Sequence, residues 1–258
     1  MKSPLKDKPL RNPGQSLDRY ILDVVLDDGI KYIIFSTVFC IVLVVNWTFY
    51  FTKTPPPPFL FTLITLIVVV YSYFKIKNAS KKIEKLKQGR DGEKAVGQYL
   101  ELLREQGVKV YHDIPGDNFN LDHVLVAPSG VYVVETKTYS KPDQGEAKII
   151  YTGDTLIHQN GFKDDKPLIQ VKAAANWLKQ VIKESTGRDV DVKKVVLFPG
   201  WFIEPTAESK RSDVWVLNPK ALGAFIANSG VRLSGEDLNL VGFHLSRFVR
   251  TSGDLVRV

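Results

Sequence analysis

The most chemically informative residues are Glu135 and Lys137, which close the run Gly130-Val131-Tyr132-Val133-Val134-Glu135-Thr136-Lys137. That composition predicts a strand, and alternation puts Val131, Val133, Glu135 and Lys137 on one face and Tyr132, Val134 and Thr136 on the other. A carboxylate and an ammonium that continue a line of two valines need a partner, because an unpaired charge is costly to bury. They can satisfy each other as an ion pair at a strand end, or they can share a ligand.

Asp122 gives the ligand its case. It lies in the preceding strand-like run Leu121 to Ala127, shares a face with Val124 and Val126, and connects to Glu135 through the tight turn Pro128-Ser129-Gly130. Two carboxylates on neighbouring strands, helped by the Thr136 carbonyl and by water, suit a hard octahedral cation such as Mg²⁺ or Mn²⁺. Such an ion acidifies a bound water and polarises a phosphodiester, and Lys137 can stabilise the charge that develops in the transition state.

The elements that must hold these groups follow from periodicity. Gly89 to Gly107 reads as a helix opened by Asp91, with Val96, Leu100 and Leu103 at helical spacing and Glu93 on the same face. Strands are expected at Val108–Ile114, Leu121–Ala127 and Val131–Lys137, then a hairpin of Ala147–Tyr151 and Thr155–His158 around Gly153-Asp154. Pro167 starts a helix ending near Gly187, its inward stripe read as Ile169, Ala173, Trp177, Val181 and Ile182. Later strands fall at Val195–Phe198 and Val214–Leu217, and Ser234 with Asp237 forms a capping box before a last helix carrying Leu238, Val241, Leu245 and Val249. This order predicts an α/β class with one mixed sheet and helices on both faces.

A chain of 258 residues with 44% hydrophobic content is ample for a folded core. Its lone cysteine, Cys40, excludes an intramolecular disulfide and a cysteine-rich metal site, while His112 and His158 stand isolated, without zinc spacing. The +7 charge sits almost wholly in one segment, where Lys75, Lys77, Lys81, Lys82, Lys85, Lys87 and Arg90 face only Glu84. The rest is close to neutral, so bulk charge does not make it a nucleic-acid binder. Trp201, Phe202 and Trp215 could stack on single-stranded bases or pack a core, and Lys193, Lys194, Lys210 and Arg211 could meet phosphates or water.

Two apolar runs precede this region. Tyr32 to Phe51 has twenty residues without a formal charge, and Phe59 to Phe74 has sixteen, with Lys53 and the prolines 55–58 between them. A bilayer core needs about 20 apolar residues of helix, so the runs predict a transmembrane hairpin, the second helped by interfacial Tyr71 and Tyr73. Positive charge after the second run and its scarcity in the turn orient both termini to the cytosol. Asn46, Thr48, Thr62 and Thr65 could hydrogen-bond across the hairpin. The expected organisation is a cytosolic segment 1–31, membrane helices 32–51 and 59–74, a basic juxtamembrane linker 75–89 and a cytosolic domain 90–258 with its core at 90–198. Ile76, Ile83 and Leu86 also let the linker continue the second helix against anionic headgroups. The location implied is the cell membrane, with the lipid bilayer as a partner.

Four blocks together resemble the nuclease-related domain, NERD, of the PD-(D/E)xK nuclease superfamily. They are Gly92-Glu93, Asn120-Leu121-Asp122-His123-Val124, Gly130 to Lys137, and Pro167-Leu168-Ile169-Gln170. The resemblance implies a restriction-endonuclease-like mixed sheet flanked by helices and a Mg²⁺- or Mn²⁺-dependent nuclease. Its partner would be nucleic acid, DNA favoured over RNA. By that likeness Asp122 and Glu135 are metal ligands, Lys137 the catalytic lysine, Glu93 an additional acid and Gln170 an orienting group. Leu121 stands where the superfamily name has proline. Glu93 and Gln170 each fall on the otherwise apolar face of a helix, where a polar group needs a partner. The alternative to an enzyme is a catalytically silent module that binds nucleic acid or a protein at the membrane.

Overall fold

The computed structural model describes residues 10–54, 58–117, 119–142 and 145–255. The ends 1–9 and 256–258, and prolines 55–57 of the expected turn, lie outside them. The chain divides into two compact units, residues 16–88 and residues 89–258 with 1–15.

The first unit is helical. Helix α1, Gln15–Val24, passes through a π-helical turn, Val25–Ile30, into α2, Lys31–Phe51, and α3 begins at Pro58 and runs to Glu101. Apolar helices α2 and α3 meet through Tyr32 on Tyr71 and Trp47 on Phe59, with ring centroids 5.9 and 6.3 Å apart. Asn46, Thr65 and Ser72 are buried, while Ile34, Ile41, Val44, Leu66 and Ile67 point outward. Of the four polar residues expected to bond across the hairpin, only Thr65 does so, its hydroxyl donating to the Phe39 carbonyl at 3.4 Å. Asn46 Nδ2 and the Thr48 and Thr62 hydroxyls donate one turn back within their own helices, the local bond that competes with a bond across the hairpin.

The sequence reading placed a helix start at Asp91. No start occurs there: Pro58–Glu101 is continuous and ends in a 3₁₀ turn, Leu102–Gln106. No Gly, Pro or capping geometry interrupts the lysine-rich stretch strongly enough to stop an established helix, whose propagation costs far less than its nucleation. Gly107, at φ 81°, terminates it in the left-handed conformation that glycine adopts without penalty.

The second unit is built on five strands: β1 Lys109–Pro115, β2 Asn120–Ala127, β3 Gly130–Thr136, then β7 Val192–Leu197 and β9 Val214–Leu217, in the spatial order β1-β2-β3-β7-β9. The first three are antiparallel and the last two join in parallel. The expected single sheet is in fact two, because β4 Lys148–Tyr151 pairs with β5 Leu156–His158 and with β8 Phe202–Pro205, and β5 with β6 Lys163–Asp164.

Helices cover both faces of the five-stranded sheet. Helix α4, Lys166–Thr186, and α6, Gly235–Leu255, pack on the face of Val124, Val133 and Val196. The end of α3 and α5, Pro219–Ala227, cover Leu125, Tyr132 and Val195. Ser234 caps α6, its hydroxyl accepting from the Asp237 N–H at 3.0 Å. The inward stripe of α4 is Leu168, Val171, Ala174, Ala175, Leu178 and Ile182, one step out of phase with the sequence reading; Ile169 is 58% exposed.

Candidate active site

Strands β2 and β3 are joined by a two-residue turn, and their register pairs His123 with Val134 and Val124 with Val133. One step further along, Asp122 stands opposite Glu135. The Thr136 N–H donates to Asp122 Oδ2 at 2.7 Å, and Lys137 Nζ lies 2.7 Å from Glu135 Oε1. The ion pair anticipated for Glu135 and Lys137 therefore exists, and Asp122 has joined it. The Lys137 N–H in turn donates to the Leu197 carbonyl at 2.9 Å, which extends the β3–β7 pairing past the strand end and fixes the lysine backbone.

Glu93 reaches the same group from α3. Burial, then Asp113 and Glu135, push its carboxyl up to about 8, while Lys137 and the Gly14 N–H favour the charged form. Asp122 is also raised well above its usual range, by burial first and then by Glu135 and Glu93. Four of the five expected residues, Glu93, Asp122, Glu135 and Lys137, thus share one electrostatic site. Gln170 does not face the core as its predicted stripe required. It is exposed in the second turn of α4, because that stripe runs through Leu168 and Val171 instead.

Two members were absent from the sequence reading. Asp113 in β1 is 1% exposed with φ 51°, and it holds Arg11 at 2.6 Å. The β1–β2 register, His112 to His123 and Ile114 to Leu121, sets it across from Asp122. Leu121, Val124 and Tyr111 all belong to one core, so strict alternation slips here. A left-handed residue in a ladder produces such a slip by inserting a local twist. The register of the hairpin could have revealed Asp113; nothing in the pattern foretold that residues 11–14 would lie against the acids.

His112 is not isolated. It bonds His123 through their Nδ1 atoms at 2.8 Å and Glu101 at 2.7 Å, a buried pair across β1 and β2 that belongs to the opposite face. Burial, then His112, hold His123 well below the usual histidine range. Glu101 sinks to about 2: burial opposes this, but the bonds from His112 and Arg104 outweigh it.

Whether a cation fits is decided by the donors. Among the described residues no three His, Cys, Asp or Glu side chains form a ready-made cage. The contacts in hand occupy one oxygen each of Asp122 and Glu135, so two hard, mutually repelling oxygen donors remain. That set matches an ion bound through one or two carboxylates and otherwise hydrated, the habit of Mg²⁺.

The fold and site define a mixed α/β domain with an acid-and-lysine cluster at the end of its central hairpin. Residues 88–199 match the family described as nuclease-related domain, NERD. An uncharacterized protein of Bacillus anthracis is 35% identical over 82 residues, 30% of this chain and 39% of the relative, so the chain spans well under half of that relative's length. The structure of Pyrococcus furiosus SfsA in complex with Ca²⁺ is similar over 50% of this chain and 54% of that one, at 18% identity and a TM-score of 0.26.

Proposed function

We propose that this protein hydrolyses phosphodiester bonds in DNA or RNA, DNA favoured, with Mg²⁺ or Mn²⁺, while anchored in the cell membrane with both termini and the nuclease-related domain in the cytosol. The observation that carries the catalytic part is the convergence of Glu93, Asp122, Glu135 and Lys137 from three separate elements on one site.

Asp122 and Glu135 would hold the cation, which supplies Lewis-acid polarisation of the phosphate and a water acidic enough to attack at neutral pH. The chain does the rest. The Thr136 N–H orients Asp122 before any ligand arrives, so no reorganisation is needed at that carboxylate. Lys137, held by Glu135 at rest, can turn its ammonium to a non-bridging phosphate oxygen as negative charge grows there. Glu93, with a carboxyl near 8, keeps its proton at neutral pH and so spares the incoming phosphate a further negative charge.

Anchoring rests on the outward apolar faces of α2 and α3. A helix in the core of a soluble protein is mostly buried, yet only 6% of the first candidate span and 11% of the second are covered. The excess of lysines over 75–87, read by the positive-inside rule, supports a cytosolic side for the following domain.

One observation favours a second reading, a silent binding module: the Glu135–Lys137 pair is closed on itself. Plasmid, single-stranded DNA and RNA incubated with the full chain in detergent, in Mn²⁺, Mg²⁺ or EDTA, decide between them. Metal-dependent cleavage lost in Glu135→Ala and Lys137→Ala is expected. Cleavage equal in all three proteins rejects the site, and tight binding without cleavage establishes the silent module.

A further inference from the structure

A groove of about 580 Å³ runs along β9, between the free edge of the five-stranded sheet and the free edge strand β8 of the second sheet. That size lies within the ~300–1,000 Å³ of ordinary ligand pockets. Its walls are aromatic on three elements: Phe202 of β8, Trp215 of β9 and Phe225 of α5, with Tyr151 at its base. Phe202 is 61% and Phe225 42% exposed, and Trp215 meets Phe225 edge to face at 5.3 Å. Core packing does not account for two exposed phenylalanines that line one open groove. Trp201, by contrast, is 5% exposed and belongs to the core.

The rim is cationic. Lys210 lines the groove, and Arg211 beside it is exposed. Asn218 sits at the end of the groove that faces the C-terminal end of β9. Lys193 sits over the Tyr132 and Trp215 rings, and Lys194 is held by Asp213 at 2.7 Å.

The register links this groove to the acids. Glu135 pairs with Val196, and Val196 with Val216 in the groove wall. Two strand spacings, roughly 10 Å, therefore separate the backbones of Glu135 and Val216, while Trp215 packs toward the opposite face of the sheet, with α5.

We propose that this groove is a base-stacking subsite for single-stranded nucleic acid, in which Phe202 and Phe225 take unpaired bases and Lys210 and Arg211 the phosphates between them. The inference rests on the nuclease reading above and narrows its substrate to strands with unpaired bases. Every base presents a π-face, so stacking of this kind tolerates any sequence, and a paired base cannot enter.

The test is fluorescence anisotropy of the full chain in detergent with a labelled oligothymidine of about 12 nucleotides and with a duplex of equal length, in EDTA so that nothing is cleaved. Phe202→Ala is expected to weaken single-strand binding roughly 5- to 100-fold, the range that loss of one stacked base produces. Phe202→Trp should retain affinity, Phe202→Leu should not, and duplex binding should be unchanged. Lys210→Glu should weaken binding and flatten its salt dependence. Unchanged affinity in Phe202→Ala, or full affinity in Phe202→Leu, overturns the proposal. So does binding of an extended Val-Thr repeat peptide that Phe202→Ala abolishes while oligonucleotide affinity stays intact, which would assign the groove to a polypeptide strand. Binding that behaves as expected in a protein that cleaves nothing counts against hydrolysis alone; cleavage with binding insensitive to Phe202 counts against the groove alone.

Discussion

The main-chain N–H of Thr136 donates to Asp122 Oδ2 at 2.7 Å, so the residue between Glu135 and Lys137 is the one that fixes the third charged group of the site. A backbone donor cannot rotate away as a side chain can, and it binds the carboxylate best when that carboxylate is charged. Burial, then Glu135 and Glu93, oppose the charge on Asp122, so on the nuclease reading a bound cation would relieve the cluster.

Divalent metal should therefore stabilise the protein. At metal concentrations about a hundred times Kd the gain is ~2.7 kcal/mol, which for a domain of this size raises Tm by about 5–10 °C. Calorimetry in Mn²⁺ against EDTA reads it. Asp122→Asn and Glu135→Gln should each remove most of the rise, because each deletes one of the two charged oxygen ligands.

Glu93 gives a pH dependence of known sign. Its folded carboxyl is raised from an ordinary 4.5 to about 8, so the folded state keeps a proton that the unfolded chain has lost. Stability falls as pH rises through that window. In EDTA, Glu93→Gln should match the parent near pH 4 and melt progressively higher above it up to about pH 8. A constant difference across the range would contradict the assignment.

Gly92 lets α3 approach the end of β3. A Cβ there would fall 1.8 Å from Thr138 Oγ1, immediately after Lys137. Gly92→Ala should cost about 1–3 kcal/mol by overpacking, and cleavage should drop ~100-fold because Glu93 and Lys137 are pushed apart. Gly92→Ala with Thr138→Gly should recover most of both losses, which a simple helix-propensity effect would not allow.

Arg11 and Asp113 form an ion pair with both side chains under a tenth exposed. Breaking one side of such a pair typically costs about 3–5 kcal/mol. Arg11→Met should lower the denaturant midpoint accordingly, and Asp113→Asn in the same chain should restore part of it, asparagine being tolerated at φ 51°.

Membrane topology is checked by reporter fusions. A reporter at position 55 should read as exported and one at the C-terminus as cytosolic. An exported C-terminus would reverse the proposed orientation and put the site outside the cell.

Much of the site was legible in the sequence because a two-residue turn and strict alternation leave little freedom. Once Pro128-Ser129-Gly130 is read as a hairpin, Asp122 and Glu135 must meet. The helix phase of α4 was not legible: Ile169 and Ala173 keep helical spacing as well as Leu168 and Val171 do, and only the width of the sheet selects between them. Alternation alone hides Asp113, because its left-handed backbone breaks the pattern, and only the β1–β2 register sets it across from Asp122. Residues 11–14 carry no periodic signal, since their place depends on tertiary contacts, such as Pro13 against Gly97, rather than on local pattern. The second sheet was missed because β8 and β6 are too short to register as strands before their partners are known.

The hairpin β2–β3 also sets an order of assembly. Contacts between residues fourteen or fewer positions apart close quickly, whereas β7 reaches β3 only after a long crossover has given up its chain entropy. Asp122, Glu135 and Lys137 are thus drawn together by the fast, local half of the fold. On the nuclease reading, a divalent ion held by Asp122 and Glu135 would favour this register of the hairpin over its shifted competitors.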